Sequence, residues 1–420
     1  SGNTPGGDPG ETGGAGDMGG AAPAAATPAT PAPAEGIITV KPILNGSTAN
    51  ATITAEDIAK AFDQSEADAK GVRTITIRVQ ELQGAKTYVQ EIPASVMHGG
   101  STKQHIEIST PFAAVILPGD MFAKAETDKK KTVAISVAAV DPRALDKDIA
   151  AAVGNRPVIE LSASIDGKTA AWSNPDAPVT VSIAYKPTPE ELKNSEHIVV
   201  WYIDGSGKAI SVPDGRYDPA TGRVTFTATH FSRYAVSYVK KTFSDLAKYG
   251  WAKKQIEVLA SKGIIEGMTA TEYSPESNIT RADFILLLVR SLGLTAKAGA
   301  NFADVKATDY YYEAVGIAKK LGITEGSENN QFRPREFITR QDMMVLVNRA
   351  LTLKGKISAQ DGTSSLSKFS DAGQVASYAR DGVVNLVREG IVTGDNDRIN
   401  PLGYATRAEI AVIIYRIYNR

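Results

Sequence analysis

The spacing of apolar residues changes near residue 240 from a period of two to a helical period. Before that point, short segments alternate apolar and polar side chains or contain β-branched runs, as half-buried strands do. They are RTITIRV (73–79), HIEIS (105–109), TVAISVAAV (132–140), VIELSASI (158–165), VTVSIAY (179–185), HIVVWYI (197–203) and RVTFTAT (223–229). Segment 54–62 has helical spacing behind a cap-like Thr54. The pattern predicts a β-rich half, all-β or α+β, with a subdomain at 36–152 and a sandwich-like one at 153–240.

Beyond Lys240 the chain repeats itself three times. Each copy begins with F-x-D, at Phe243, Phe302 or Phe369, and a proline and an arginine follow that phenylalanine by 32 and 38 residues. Between them lie GIIEG, GITEG and GIVTG. Three copies in register indicate an internal repeat, which we divide into 241–300, 301–368 (with a linker) and 369–420.

Each copy predicts a helix, a loop and a second helix. The first glycine of each G-I pair is expected to end the first helix. The motifs ITRAD, ITRQD and ATRAE then begin the second helix, with a threonine N-cap and an acid three residues later. The N-caps are Thr280, Thr339 and Thr406. Because the second helices are apolar on all sides, we expect an all-α half in which these three helices form a central bundle.

The three copies resemble surface-layer homology (SLH) domains, the cell-wall anchors of bacterial surface proteins. The likeness covers about residues 242–420 and includes the F-x-D start, an aromatic residue 12 positions before the G-I glycine, the G-I-x-x-G loop and the T-R-A-E-like motif. Asp283 and Asp342 replace the usual Glu or Gln, and Ala405 replaces Ile. The resemblance implies a pseudo-threefold arrangement with grooves between repeats. The implied ligand is a secondary cell-wall polysaccharide on peptidoglycan, often carrying pyruvate ketals.

An arginine follows each capping threonine: Arg281, Arg340 and Arg407. The helix dipole disfavours a cation in the first turn by about 0.3–1 kcal/mol, and capping does not explain its presence. A bound anion would make the position favourable for an arginine, because free N–H groups at a helix N-terminus and a guanidinium fork both bind carboxylates. The arginines are therefore the leading candidates for binding a ketal carboxylate, with solvated side chains as the alternative.

Further candidate carbohydrate-binding residues occupy equivalent positions in each copy. The F-x-D aspartates can accept hydrogen bonds from sugar hydroxyls, or cap the first helix or pair with an arginine. The aromatic residues offer a sugar ring a flat face, but as the first large residues of packed helices they are expected partly in the core. The G-I glycines are expected to end helices beside a groove. These residues are Asp245, Asp304 and Asp371; Trp251, Tyr310 and Tyr378; and Gly263, Gly322 and Gly390.

Composition excludes several classes of function. A net charge of −1 argues against nucleic acid and against an anionic membrane surface as partners. The absence of cysteine excludes disulfides, thiolate metal sites and a cysteine nucleophile. No apolar run reaches the ~18–20 residues of a membrane span. Residues 1–35 are rich in Gly, Ala, Pro and Thr, so we expect a disordered linker, and the start at Ser1 suggests a processed fragment.

Signals of catalysis are weak. The chain has four histidines, none at metal-ligand spacing, and contains no phosphate loop or G-x-S-x-G. In THFSRYAV (229–236), His230-Phe231-Ser232 resembles a self-cleavage site of certain β-rich signalling modules, in which the serine attacks the preceding peptide bond. The same stretch resembles the terminal strand of β-modules that precede SLH anchors, with Phe231 in the core. No metal, cofactor or catalytic residue is expected.

The sequence thus predicts a secreted, non-catalytic protein that is anchored to the cell wall through its helical half. One alternative is the C-terminal part of an exported polysaccharide-degrading enzyme whose catalytic domain lies upstream of residue 1. Another is a self-assembling S-layer protein. The β-rich half is expected to be a spacer or a contact module for surface-protein or S-layer partners.

Overall fold

A computed structural model of the protein describes residues 36–97, 102–122, 132–358 and 366–420. The expected linker at 1–35 and His98 lie outside these residues. The described part comprises a β-rich N-terminal half and a helical C-terminal half, in agreement with the multidomain layout that the sequence predicts.

Residues 37–238 contain sixteen described strands. They are β1 (Ile37–Val40), β2 (Ile43–Asn45), β3 (Thr48–Thr52), β4 (Arg73–Val79), β5 (Thr87–Pro93), β6 (Gln104–Ser109), β7 (Ala113–Pro118), β8 (Thr132–Ala139), β9 (Val158–Ile165), β10 (Lys168–Ala170), β11 (Val179–Ala184), β12 (Ile198–Ile203), β13 (Ala209–Val212), β14 (Arg216–Asp218), β15 (Arg223–Ala228) and β16 (Arg233–Tyr238). All seven strands named from the sequence are present, and among the strands not named there is β5, which has seven residues in regular alternation.

The strands form two sheets that share one hydrophobic core. The first sheet has the order β1-β4-β6-β7-β11-β15-β14, and the second has the order β13-β12-β16-β9-β8-β5-β3-β2, with β10 on β9. Strand alternation buries Ile75 and Ile77 of β4 together with Val133, Ile135 and Val137 of β8 in the same cluster. Burial of one face of each sheet is what stabilises such a layered arrangement.

The strand pairing differs from the predicted division near residue 152. Strand β8 lies before that point and β9 after it, yet they pair antiparallel from Val133–Ile165 to Ala139–Ile159. Strand β7 likewise pairs with β11. Segments 36–152 and 153–240 therefore share both sheets. Local periodicity could not reveal this, because it carries no information about which strands pair.

Nine described helices complete the fold. They are α1 (Ala55–Gln64), α2 (Lys147–Val153), α3 (Pro189–Lys193), α4 (Gly250–Ser261), α5 (Arg281–Ser291), α6 (Tyr312–Lys320), α7 (Arg340–Leu353), α8 (Arg380–Arg388) and α9 (Arg407–Tyr418). In the helical half, α4, α6 and α8 are the first helices of the repeats, and α5, α7 and α9 are the second helices. All six contribute to one hydrophobic cluster that extends from Phe243 to Tyr418.

The helices pack across repeat boundaries in a cyclic order. The first helix α6 packs against α5 of the preceding repeat, and α8 packs against α7. The first helix α4 closes the cycle on α9 of the third repeat. Each repeat therefore completes its hydrophobic contacts only with a neighbour, as in other repeat architectures.

Buried polar contacts join the β-rich and helical halves. The Lys262 ammonium, at the end of α4, is buried and donates to the carbonyl oxygens of Ile198 and Gly215 at 3.1 and 2.9 Å. His197 Nδ1 lies 2.8 Å from Ser261 Oγ. These groups are shielded from solvent, so a polar group left without its partner would cost free energy. The contacts therefore hold the two halves together.

Candidate functional site

The segments before the three second helices are linked in a ring. Isolated β-bridges connect Asn278 with Thr406, Thr280 with Phe337, and Thr339 with Tyr404. Each bridge joins the approach to one second helix to the approach to another. The three T-R motifs therefore lie at the same end of the helical half.

The backbone amides at the start of each second helix are already hydrogen-bonded within the protein. In α5, Arg281 N and Ala282 N donate to carbonyl oxygens of the next repeat at 2.9 and 3.0 Å, and Asp283 N donates to Thr280 Oγ1 at 3.1 Å. Equivalent bonds are present at α7 and α9. The expectation that free helix amides bind an anion is therefore wrong, and only the side chains remain available for one.

The three threonine caps differ in one respect. The side chain of each threonine accepts from the backbone N–H of the acid three residues later. Of the three, only the Thr406 cap is a complete capping box, because Glu409 also accepts from Thr406 N at 2.8 Å. The aspartates at 283 and 342 are one methylene shorter, which accounts for the missing reciprocal bond.

Each motif arginine reaches across to the loop of the next repeat in the cycle. Its Nε donates to a backbone carbonyl oxygen there, at 2.9–3.1 Å. The pairs are Arg281 with Phe332, Arg340 with Ile399, and Arg407 with Tyr273. The cation at the first helical position thus makes an inter-repeat contact, which spacing within one repeat could not show.

The F-x-D aspartates shape the loop that receives the arginine. Asp371 accepts from Ile399 N and Asn400 N at 2.9 and 2.7 Å, and Asn400 has a positive φ of 53°. Burial opposes ionisation of Asp371, but these hydrogen bonds outweigh it and lower its pKa. Asp245 and Asp304 make the equivalent backbone contacts. The structure therefore places these carboxylates on backbone amides, not at the ends of the first helices.

The aromatic residues that were expected partly in the core are exposed. Trp251 is 55% exposed, Tyr310 69% and Tyr378 61%. Helices α6 and α8 begin two residues after their tyrosines, so these rings lie ahead of the packed helix. Flat, exposed aromatic faces of this kind are available to a ligand.

The tyrosine hydroxyls contact the capping acids of the preceding repeats. Tyr310 donates to Asp283 at 2.5 Å, and Tyr378 donates to Asp342 at 2.6 Å. Partial burial, followed by the bond to Asp342, raises the pKa of Tyr378 to about 12, so it remains a donor at neutral pH. Each boundary between repeats therefore brings an aromatic residue, a capping acid and an arginine together.

The G-I glycines have positive φ angles of 68–70°, which suits the end of a helix. These are Gly263, Gly322 and Gly390. The candidate residues named from the sequence include only the first glycine of each G-I-x-x-G. A Cβ at Gly326 would lie 2.4 Å from a ring carbon of Phe302, and one at Gly394 would lie 2.5 Å from Phe369. The F-x-D phenylalanine ring therefore leaves room only for a glycine at this position, and this close packing holds the loop beside the groove in place.

A cavity of about 650 Å³ lies at the boundary between repeats 3 and 1. Its lining includes Trp251, Arg340, Glu409, Arg416 and the G-I-x-x-G loop of repeat 3. We call it groove A. By the equivalence of the repeats, groove B contains Tyr310, Asp283 and Arg407, and groove C contains Tyr378, Asp342 and Arg281.

The His230-Phe231-Ser232 stretch is packed as part of the sandwich. The ring centroids of Phe231 and Trp172 lie 4.6 Å apart. Ser232 Oγ donates to the carbonyl oxygen of Ile203 at 2.9 Å. Tyr234 donates to the carbonyl oxygen of His230 at 2.5 Å. The three residues lie before β16, and Phe231 is half-buried against the core instead of inside it. Because the serine hydroxyl is engaged by Ile203, these contacts favour a structural role over self-cleavage.

The described residues contain no group of three or more His, Cys, Asp or Glu side chains that could hold a metal ion. None of the described helices is both long and apolar enough to cross a membrane.

Comparison with known proteins identifies the repeats. The model of the S-layer homology domain matches residues 242–285, 301–344 and 368–411. Residues 242–411 carry three tandem S-layer homology domains. The SLH domains account for the T-R motifs, the G-I-x-x-G loops and the F-x-D starts described above.

Relatives of the SLH region include enzymes and surface-layer proteins. An amylopullulanase of Thermoanaerobacterium thermosulfurigenes is 39% identical over 225 residues, which is 53% of this chain and 12% of the relative. An exoglucanase XynX of Acetivibrio thermocellus is 38% identical over 43% of this chain and 16% of the relative. A surface-layer 125 kDa protein of Lysinibacillus sphaericus is 30% identical over 40% of this chain and 14% of the relative.

The chain spans less than a fifth of the length of each of these relatives. The SLH region is nevertheless shared with proteins of both kinds. It is a cell-wall anchor, and the protein is associated with the cell surface.

Proposed function

We propose that the SLH domains bind a peptidoglycan-linked secondary cell-wall polysaccharide, pyruvylated on some of its sugars, in the grooves between repeats. The observation that carries the proposal is the exposure of an aromatic ring at each boundary, next to an arginine and a carboxylate. Such a set offers a sugar both a flat apolar face and charged hydrogen-bonding groups.

In this proposal the residues of each groove have different tasks. The rings of Trp251, Tyr310 and Tyr378 contact sugar faces. The guanidinium groups of Arg281, Arg340 and Arg407 bind ketal carboxylates through N–H groups not used by carbonyl oxygens. The F-x-D aspartates and the G-I glycines act indirectly, by fixing the loops that border the grooves.

The proposal includes the arrangement of the SLH domains. The bridges that link the three T-R segments and the cyclic packing of the helices support a pseudo-threefold unit with α5, α7 and α9 as a central bundle. We place its boundaries at 241–300, 301–368 and 369–420, and we propose that 1–35 is a disordered linker. We further propose that the protein is secreted and that the β-rich half contacts other surface-layer proteins.

Sedimentation with cell-wall sacculi tests the proposal. We expect the full chain to pellet with purified peptidoglycan sacculi that retain their polysaccharide and to stay in the supernatant after acid extraction of that polysaccharide. A matched control is the same sacculi after mock extraction at neutral pH. Equal binding to extracted and unextracted sacculi would show that bare peptidoglycan is the ligand and refute the proposal.

A further inference from the structure

A small cavity lies between the first sheet and the ends of two second helices. Its volume is about 190 Å³, and we call it the junction cavity. Thr180 and Thr227 line it from the paired strands β11 and β15, Ser291 lines it from the end of α5, and Lys354 lines it just after α7. The T-R motifs mark the beginnings of these helices, so the junction cavity is separate from the grooves between repeats.

Four described cationic side chains lie in or beside the junction cavity. Arg216, Lys354 and Lys356 line it, and Lys70 Nζ donates to the Lys354 carbonyl oxygen at 3.4 Å. Partial burial lowers the pKa of Lys356, and the charges of Arg216, Lys354 and Lys70 lower it further. These cations therefore repel one another where water screens their charges poorly.

Asp214 carries the single carboxylate among the described residues that line the cavity. Burial raises the pKa of Asp214, and the hydrogen bonds from Thr227 and the charges of Arg216 and Lys354 offset this increase only in part. The charge of Asp214 also acts on the buried Lys262. The pKa of Lys354 stays lowered by burial although Asp214 raises it. One acid is thus shared among more cations than it can neutralise.

The structure of the protein alone explains only some of these cations. Lys354 is the C-cap of α7, where the helix dipole favours a positive charge. Arg216 stacks on the ring of Tyr418. Lys356 lies beyond the end of the helix, and the charges that act on it most strongly are all positive. A bound anion would supply the counter-charge that Lys356 lacks.

The lining of the junction cavity suits a phosphate group. A guanidinium binds phosphate oxygens through paired N–H groups, and an ammonium group binds them as a point charge. Thr180 adds a hydroxyl from the outer face of β11, since its neighbours Val179 and Val181 are in the core. The cavity, at about 190 Å³, is smaller than the ~300–1,000 Å³ pockets of ordinary small-molecule ligands, which favours a small anion.

We propose that the junction cavity binds a phosphate group, free or as a small monoester, and that the bound phosphate joins the β-rich half to the SLH unit. Arg216 contributes to the site from the edge of the first sheet. Lys354 and Lys356 contribute from the segment that follows α7. The site is separate from the grooves proposed for the polysaccharide, so neither proposal depends on the other.

Titration calorimetry of the full chain at low salt tests for the site. The probes are inorganic phosphate and glycerol 3-phosphate, and sodium chloride at matched ionic strength is the control. We expect one site per chain, and the tighter of the two probes identifies the source of the phosphate as free or esterified. Heat from neither probe, or an equal response to chloride, would overturn the proposal.

A double substitution tests the residues assigned to the site. Lys354→Gln with Lys356→Gln should weaken phosphate binding at least roughly tenfold, because it removes two charges from the lining. The matched control is Lys168→Gln with Lys208→Gln, which changes the net charge equally at exposed positions of the β-rich half. The control should bind as the parent does. An equal loss in both double variants would show that net charge alone attracts phosphate, and would refute the site.

Thermal melts separate binding from a structural role of the lysines. Without phosphate, the Lys354→Gln, Lys356→Gln variant should melt at the temperature of the parent or above it, since the repulsion is relieved. At a phosphate concentration of about 100 Kd, the melting temperature of the parent should rise by about 3 °C and that of the variant should not. A variant that melts below the parent without phosphate would show that the lysines support the fold, and would overturn the proposal.

Discussion

The guanidinium of Arg216 lies 4.3 Å from the centroid of the Tyr418 ring, and its Nη2 donates to the Tyr418 carbonyl oxygen at 2.8 Å. Arg216 begins β14, and Tyr418 ends α9. The Tyr418 hydroxyl in turn donates to Gly215 at 3.1 Å. The last helix of the SLH unit is thus attached directly to the edge of the first sheet.

We expect the two halves to unfold in a single transition because of this attachment. Arg216→Ala should lower the free energy of unfolding by about 1.5–3 kcal/mol, the range for hydrogen bonds of charged groups. Urea unfolding followed by circular dichroism and by tryptophan fluorescence measures it. Arg143→Ala is the control, since Arg143 is exposed and pairs with Asp141 of the same turn, and it should change stability by less than about 0.5 kcal/mol. Two separate transitions in the unmodified protein would contradict the expectation.

The threonine caps should contribute to stability and not directly to binding. Thr280→Ala, Thr339→Ala or Thr406→Ala should each cost about 1 kcal/mol, because each removes the acceptor for a helix N–H. Replacement by serine keeps the hydroxyl and is the matched control. Thermal melts of the six variants compare the stabilities of the alanine and serine substitutions. Alanine variants as stable as the serine variants would exclude a capping role.

Arg340 should matter for folding as well as binding. The helix dipole disfavours a cation at this position, but Arg340 Nε donates to the Ile399 carbonyl oxygen and its side chain is only 12% exposed. Arg340→Ala should therefore lower the free energy of unfolding by about 1.5–3 kcal/mol. Chemical denaturation measures this loss, and Arg340→Lys should recover part of it. An alanine variant as stable as the parent would show that the inter-repeat bond contributes nothing.

Lys262 should make stability depend on pH. Burial, followed by the Arg216 charge, lowers its pKa from 10.5 to about 7. The unfolded chain therefore binds the proton more tightly, and unfolding takes up a proton between about pH 7 and 10.5. The folded state should gain stability as pH rises through that window, and the penalty is complete below pH 7.

Denaturation at pH 6, 7.5 and 9 tests this linkage. We compare the parent with Lys262→Met, which keeps the length of the side chain without its charge. The free energy of unfolding of the parent should rise relative to that of the variant from pH 7.5 to pH 9. Parallel pH profiles would show that Lys262 does not titrate in this range.

The sequence by itself determined the features that depend on local order. The period of two located the strands RTITIRV and VIELSASI, because alternation reflects burial of one strand face. Recurrence of F-x-D, G-I-x-x-G and T-R revealed the three SLH domains, because each repeat forms the same local structure with the same residue types at the same positions. Thr406 and Glu409 are three residues apart, so their reciprocal cap could be inferred from spacing alone.

Only the tertiary structure decided which residues meet across repeats and strands. The partner of β8 is β9, on the other side of the predicted division, since pairing depends on the whole sheet. The exposure of Tyr310 follows from where α6 begins and packs. The Nε of Arg340 donates to the carbonyl oxygen of Ile399 in the next repeat. Such contacts between distant residues depend on three-dimensional proximity, which spacing along the sequence does not encode.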